Sequence, residues 1–201
     1  MTVRGGRPAA GGGRARPAGR PPGEVRIVGG LWKRSRLPVA DRPGLRPTPD
    51  RVRETLFNWL GQDLTGWRVL DAFAGSGALG FEAASRGAAE VLLLERDVEL
   101  VRSLEASRAR LGAARLQVEG ADALAWLARC APARYELVLL DPPFDAGLLG
   151  RALELAAPVV APGGWLYVES GAPLGPLPAG FEVHRSLRAG GVHAALLRRR
   201  G

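Results

Sequence analysis

Asp71-Ala72-Phe73-Ala74-Gly75-Ser76-Gly77-Ala78-Leu79-Gly80 is the stretch that decides the fold. It follows the apolar residues Val69-Leu70 and leads into an apolar, alanine-containing segment, so it reads as the turn from a strand into a helix. Gly75, Gly77 and Gly80 keep the G-x-G-x-x-G spacing in that context, and glycines there let the backbone turn tightly and a ligand approach closely. Working outward from this turn, strand and helix patterns alternate. Strands are expected at 69–71, 91–95, 116–119, 137–141 and 165–169, and helices around 78–86, 97–111, 121–129 and 147–157. Short, nearly continuous apolar strands are those buried on both faces of a parallel sheet. The expected fold is α/β, a doubly wound, mostly parallel seven-stranded sheet. It ends in an antiparallel hairpin, 181–187 with 192–197, joined across Gly190-Gly191.

The acidic residues beside the glycine loop narrow the ligand. Asp71 ends its strand four residues before Gly75. A carboxylate there repels a pyrophosphate but suits an ammonium group. S-adenosylmethionine carries an ammonium and a sulfonium and no phosphate, so it is the expected cofactor. Phe73, Gly75, Ser76 and Gly77 lie in the loop around it. Glu95, ending the next strand with Arg96 after it, is placed to accept ribose hydroxyls. Asp122 after the third strand either binds the adenine amino group, with Ala123 leaving room for the ring, or caps a helix.

Asp141-Pro142-Pro143-Phe144 follows the apolar run 137–140. Two prolines stop the strand and stiffen the loop. In an open α/β sheet the ligand crevice lies beyond the C-terminal strand ends, where the strand order reverses. With the order 3-2-1-4-5, Asp71, Gly75 and Asp141 meet around one crevice. Asp141 and the Pro142 carbonyl can accept the two hydrogens of a nucleobase amine, and Phe144 offers a face for an extruded base to stack on. No metal is needed for such chemistry.

The chain has 201 residues, one domain's worth, with 28 basic and 20 acidic residues. Residues 1–46 hold eleven of the basic residues and only Glu24 and Asp41 against them, so the excess of +8 sits in the N-terminal quarter. That asymmetry suggests a polyanionic partner. No apolar run reaches the ~18 residues of a membrane span. One cysteine, Cys130, and two histidines, His184 and His193, exclude a disulfide framework and a cysteine-built zinc site, and fit a reducing, cytoplasmic setting.

Residues 1–23, rich in Gly, Pro, Ala and Arg, are expected to be a disordered tail. Residues 24–47 read as a small basic β-ribbon, strands 25–28 and 36–39, followed by a loop. Residues 48–201 form the main domain. Thr48-Pro49-Asp50 reads as a helix start with Thr48 as N-cap.

Taken together these residues resemble the class I S-adenosylmethionine-dependent methyltransferases that act on nucleobase amines. The segments Arg26-Ile27-Val28-Gly29-Gly30, Trp32, Gly44-Leu45-Arg46-Pro47-Thr48 and Asp50-Arg51-Val52-Arg53-Glu54-Thr55-Leu56-Phe57-Asn58 are similar to the N-terminal signature of the bacterial 16S rRNA guanine-N2 methyltransferases of the RsmD type. The resemblance runs from about Val25 to the C-terminus. It implies methylation of one guanine at N2, in small-subunit rRNA within assembled or nearly assembled particles; the protein is expected to be a monomer. It also implies that Gly75, Gly77 and Glu95 bind the donor, that Asp141 to Phe144 form the acceptor site, and that Thr48 lies against donor or target. Arg26, Lys33, Arg34, Arg36, Arg42, Arg46 and Arg51 are expected to meet phosphates, and Trp32 to stack or to pack.

Three rivals stay open on the residues alone. One is a DNA methyltransferase acting on adenine N6 or cytosine N4. Another is a nicotinamide-dependent oxidoreductase, and the third is a non-catalytic RNA-binding assembly factor.

Overall fold

A computed structural model describes residues 23–40, 48–144 and 147–201. The expected tail up to residue 22, and the basic residues Arg42 and Arg46, lie outside the described residues.

Two short strands, β1 (Gly23–Arg26) and β2 (Arg36–Val39), pair antiparallel as the ribbon. The body follows as α1 (Asp50–Trp59), β3 (Arg68–Asp71), α2 (Ala78–Ser85), β4 (Glu90–Glu95), α3 (Val98–Leu111), β5 (Leu116–Gly120), α4 (Ala123–Leu127), β6 (Tyr135–Leu140), α5 (Leu149–Ala156), β7 (Val160–Ser170), β8 (Phe181–Ala189) and β9 (Val192–Arg199). The sheet runs β5-β4-β3-β6-β7-β9-β8. Its first five strands are mutually parallel, and β9 runs antiparallel to both β7 and β8. The order reverses between β3 and β6, as expected, so the crevice opens at their C-terminal tips.

Alternation along the strands divides the core in two. Val69, Val91, Leu93, Leu137, Leu139, Tyr167 and Leu196 face one layer with α1, α2 and part of α3. Leu70, Leu92, Leu94, Val138, Leu140, Leu166, Val168 and Leu197 face the other, with α4 and α5. The ribbon residues Val25, Ile27, Leu37 and Val39 are buried in the first layer, so the ribbon shares the core of the sheet.

Two local expectations differ from the structure. Thr48 is not the N-cap of α1. That position belongs to Pro49, whose carbonyl accepts the N–H groups of Val52 and Arg53, because the Thr48 hydroxyl is drawn into the crevice instead. β7 begins at Val160, earlier than the expected 165. Tyr135 pairs with Val160 and Leu137 with Trp165, so Ala161-Pro162-Gly163-Gly164, which looks like a turn, is a bulge within the strand.

Candidate active site

The period of two places four carboxylates on one face. Asp71 is paired with Leu93 on one side and Leu139 on the other, and Leu139 with Tyr167. Two residues further along each neighbouring strand come Glu95, Asp141 and Glu169. All four therefore project to the α1–α2 side of the C-terminal edge.

The glycine loop builds one half of the site, the expected donor half, from backbone. Gly77 has φ +78°, a left-handed conformation that glycine adopts freely, and begins α2. Gly80 lies so close to β4 that an added Cβ would overlap Leu93, and its N–H reaches Asp71 Oδ2 at 3.0 Å. Asp71 is fully buried, and among the described residues its Oδ1 has no hydrogen-bond partner. Burial pushes its pKa up to about 7, against the amides of Gly80 and Phe73; the negative charges of Glu95 and Glu169 push the same way as burial. Glu95 is held at both oxygens, accepting the Gly75 N–H on Oε2 and the Asp97 N–H on Oε1, each at 2.9 Å. Asp122 caps α4 through Ala125 N–H at 2.9 Å and also lines the crevice, so its two readings are compatible.

The other half, the expected acceptor half, is built from side chains far apart in sequence. Thr48 Oγ1 donates to Glu169 Oε1 at 2.9 Å and lies 3.5 Å from Asp141 Oδ2. The Tyr167 hydroxyl donates to the same Glu169 oxygen at 2.8 Å. Burial raises the Asp141 pKa well above the ordinary carboxylate value, and the charges of Glu169 and Asp71 add to it. Burial also raises Glu169, opposed by Tyr167, Thr48 and the Arg53 charge. Phe144 is 48% exposed and packs its inner edge toward Gly171.

Both halves line one cavity of about 700 Å³, within the usual size of small-molecule sites. On the donor side it is lined by Asp71, Phe73, Ser76, Glu95, Arg96, Asp122 and Ala123. Thr48, Asp141, Pro142, Pro143 and Phe144 line the acceptor side. Gly75 and Gly77 shape the loop without lining the cavity. Sequence reasoning missed Glu169 and the hairpin tip, where Ala189, Gly191 and Val192 reach the cavity. The strand-end position that singled out Glu95 also singles out Glu169. The hairpin tip carries no such signal.

The donor set fits S-adenosylmethionine. Asp71 Oδ1 is an unpartnered acceptor where an ammonium would bind, and Glu95 and Asp122 would hold the nucleoside end.

Behind the site, fully buried Arg53 on α1 joins the ribbon to α2. It donates to Thr48 O (3.2 Å), Glu82 Oε2 (3.4 Å) and Arg26 O (2.7 Å), and Glu82 accepts the Val28 N–H at 2.8 Å. On the ribbon and α1, Lys33, Arg34 and Arg51 are exposed. Arg26 and Arg36 are also exposed and pair with Asp50 (3.1 Å) and Glu24 (2.6 Å). Trp32 is half-buried against the core.

The comparisons with known proteins agree with this geometry. The family described as "Conserved hypothetical protein 95" matches residues 25–198. A protein of Escherichia coli strain K12 named "Ribosomal RNA small subunit methyltransferase D" is 43% identical over 185 residues, which cover 88% of this chain and 91% of that one. The chain belongs to the ribosomal RNA small subunit methyltransferase D family. A family member of the same name from Haemophilus influenzae is 42% identical over 153 residues, 74% of this chain and 79% of that one. The solved structure of "Putative methyltransferase yhhF" from Escherichia coli superposes with a TM-score of 0.80 at 40% identity, covering 89% of this chain and 99% of that one. Among the described residues no helix is long and apolar enough to cross a membrane.

Proposed function

We propose that this chain transfers a methyl group from S-adenosylmethionine to the exocyclic N2 amine of a guanine in 16S rRNA, in the cytoplasm, acting as a monomer on assembled or nearly assembled small-subunit particles. The observation that carries the reading is the shared cavity, in which Asp141 follows the end of β6, the strand beside that of Asp71 with its unpartnered oxygen. When bound, S-adenosylmethionine supplies an electrophilic methyl group. The remaining work falls to this chain. Asp141 and the Pro142 carbonyl accept the two amine hydrogens, which favours a pyramidal nitrogen with a free lone pair. Pro142 and Pro143 hold those acceptors still, so positioning is the main contribution. Phe144 stacks the extruded base, worth ~1–3 kcal/mol in single-strand binders. The proton released from the amine passes to Asp141 or to water. Exposed Arg26, Lys33, Arg34, Arg36 and Arg51, together with Arg42 and Arg46, supply salt-sensitive phosphate contacts. In this reading residues 48–201 are the methyltransferase unit, 24–47 with the strand residue Gly23 an RNA-binding extension, and the residues before Gly23 a tail.

The test is transfer of labelled methyl to small-subunit particles, free 16S RNA and duplex DNA, followed by digestion to nucleosides. N2-methylguanosine from particles is expected. Label in DNA adenine or cytosine would overturn the reading, as would calorimetry showing NAD bound and S-adenosylhomocysteine not bound.

A further inference from the structure

The tips of β6 and β7 set a second carboxylate beside Asp141. Leu139 pairs with Tyr167 and Leu140 with Val168, so the next residues, Asp141 and Glu169, lie side by side on the same face. One hydroxyl touches both, since Thr48 Oγ1 is 2.9 Å from Glu169 and 3.5 Å from Asp141. Glu169 is only 2% exposed, yet it lines the cavity that holds Asp141 and Phe144. Its Oε1 takes the bonds from Thr48 and Tyr167, and no hydrogen bond from the described residues reaches Oε2. The methyl-transfer step assigns Glu169 no role.

We infer that Glu169 accepts the ring N1–H of the guanine whose N2 amine is held by Asp141, and that it thereby selects guanine over adenine and cytosine. The inference rests on the guanine-N2 reading above and deepens it. The two donors of a seated guanine favour the charged form of both carboxylates against the burial that raises them, and an ionised carboxylate only accepts hydrogen bonds. In adenine and in cytosine the ring nitrogen beside the exocyclic amine is a bare acceptor. Against Glu169 it would bring two acceptors together in a buried place, with neither satisfied. In guanine, N1, the ring nitrogen that flanks N2 on the same edge as O6, carries a hydrogen. Two adjacent carboxylates therefore match the donor–donor edge that guanine presents, and mismatch the donor–acceptor edge of the other two amine-bearing bases. Thr48 and Tyr167 fix the orientation of Glu169 from the side away from its free oxygen, so selection is built into the resting site. Sites made to hydrogen-bond a substrate group reject analogues that lack it far more strongly than apolar pockets do.

2-Aminopurine tests this, because it keeps the exocyclic N2 amine and replaces N1–H by a bare nitrogen. Small-subunit particles are assembled with guanosine or with 2-aminopurine at the methylated position, and single-turnover transfer is measured for the wild type and for Glu169→Gln. The wild type should favour guanine by roughly 100-fold or more. In Glu169→Gln the carboxamide can turn its N–H toward the bare nitrogen, so the preference should shrink by about tenfold or more. S-adenosylhomocysteine binding and thermal midpoint report whether the variant is folded. Equal wild-type transfer to the two bases overturns the inference without recourse to any variant. A folded Glu169→Gln protein whose preference is unchanged overturns it as well. Failure of the underlying reading looks different, since the wild type would then produce no N2-methylguanosine from the guanosine particles.

Discussion

The two halves of the cavity are made in different ways. On the donor side, backbone amides hold the carboxylates, Gly80 N–H on Asp71 and Gly75 and Asp97 N–H on Glu95, all within about twenty residues of chain. On the acceptor side, side chains hold one another. Thr48 bridges to Asp141 and Glu169 across 93 and 121 residues, and Arg53 steadies Thr48 from behind. A half built from its own loop is set once that loop closes. A half built from remote side chains depends on the docking of α1 and the ribbon. The donor half should therefore tolerate damage to the acceptor half better than the reverse.

The largest expected effect separates the halves. Asp141→Ala should lower turnover by about 10²–10⁴-fold while S-adenosylhomocysteine affinity stays within a few-fold of wild type in calorimetry. Equal loss of both would mean that the halves are not separable. Arg53→Met attacks the acceptor half through its support. Buried Glu82 keeps Arg86 at 2.8 Å, but the Thr48 and Arg26 carbonyls lose the donor they share, so unfolding free energy should fall by about 1–3 kcal/mol in a urea titration.

Asp71→Asn attacks the donor half alone. Loss of a charge-assisted bond to the ammonium should weaken S-adenosylhomocysteine by about 10–100-fold. It also changes the pH dependence of the ligand-free protein. The folded Asp71 titrates near 7 against 3.8 for an unperturbed aspartate, so the folded state binds the extra proton. Stability from this group is full below pH 3.8 and is lost as pH rises toward 7, at up to about 1.4 kcal/mol per pH unit. The wild type minus Asp71→Asn difference should thus favour the wild type at pH 5 and shrink or reverse at pH 8, as read by thermal melts at both. Smallest is Gly80→Ala, whose methyl overlaps Leu93. It should cost about 1–3 kcal/mol and weaken donor binding with little change in the base preference of the residual activity.

The same contrast explains what could be read without coordinates. The strand order and the meeting of Asp71, Glu95 and Asp141 follow from local patterns, namely apolar runs that each end in a carboxylate, with a glycine turn after Asp71 and two prolines after Asp141. Asp141-Pro142-Pro143-Phe144 was legible because its rigidity is written in adjacent residues. Thr48 was legible as a helix start, yet its hydroxyl is claimed by Glu169, a partner that only strand register brings near. Arg53 and Glu82 read as ordinary helical residues, and only packing of the ribbon over α1 and α2 buries them. The bulge at Ala161–Gly164 was hidden because Pro and Gly mark turns and strand bulges alike.

The most direct measurement is a crystal structure with S-adenosylhomocysteine bound. Its ammonium is expected within hydrogen-bond distance of Asp71 Oδ1, its nucleoside between Glu95 and Asp122, and its sulfur end open to the space beside Asp141. A ligand that leaves Asp71 Oδ1 unpartnered, or that is walled off from Asp141, would contradict a donor and an acceptor sharing one cavity.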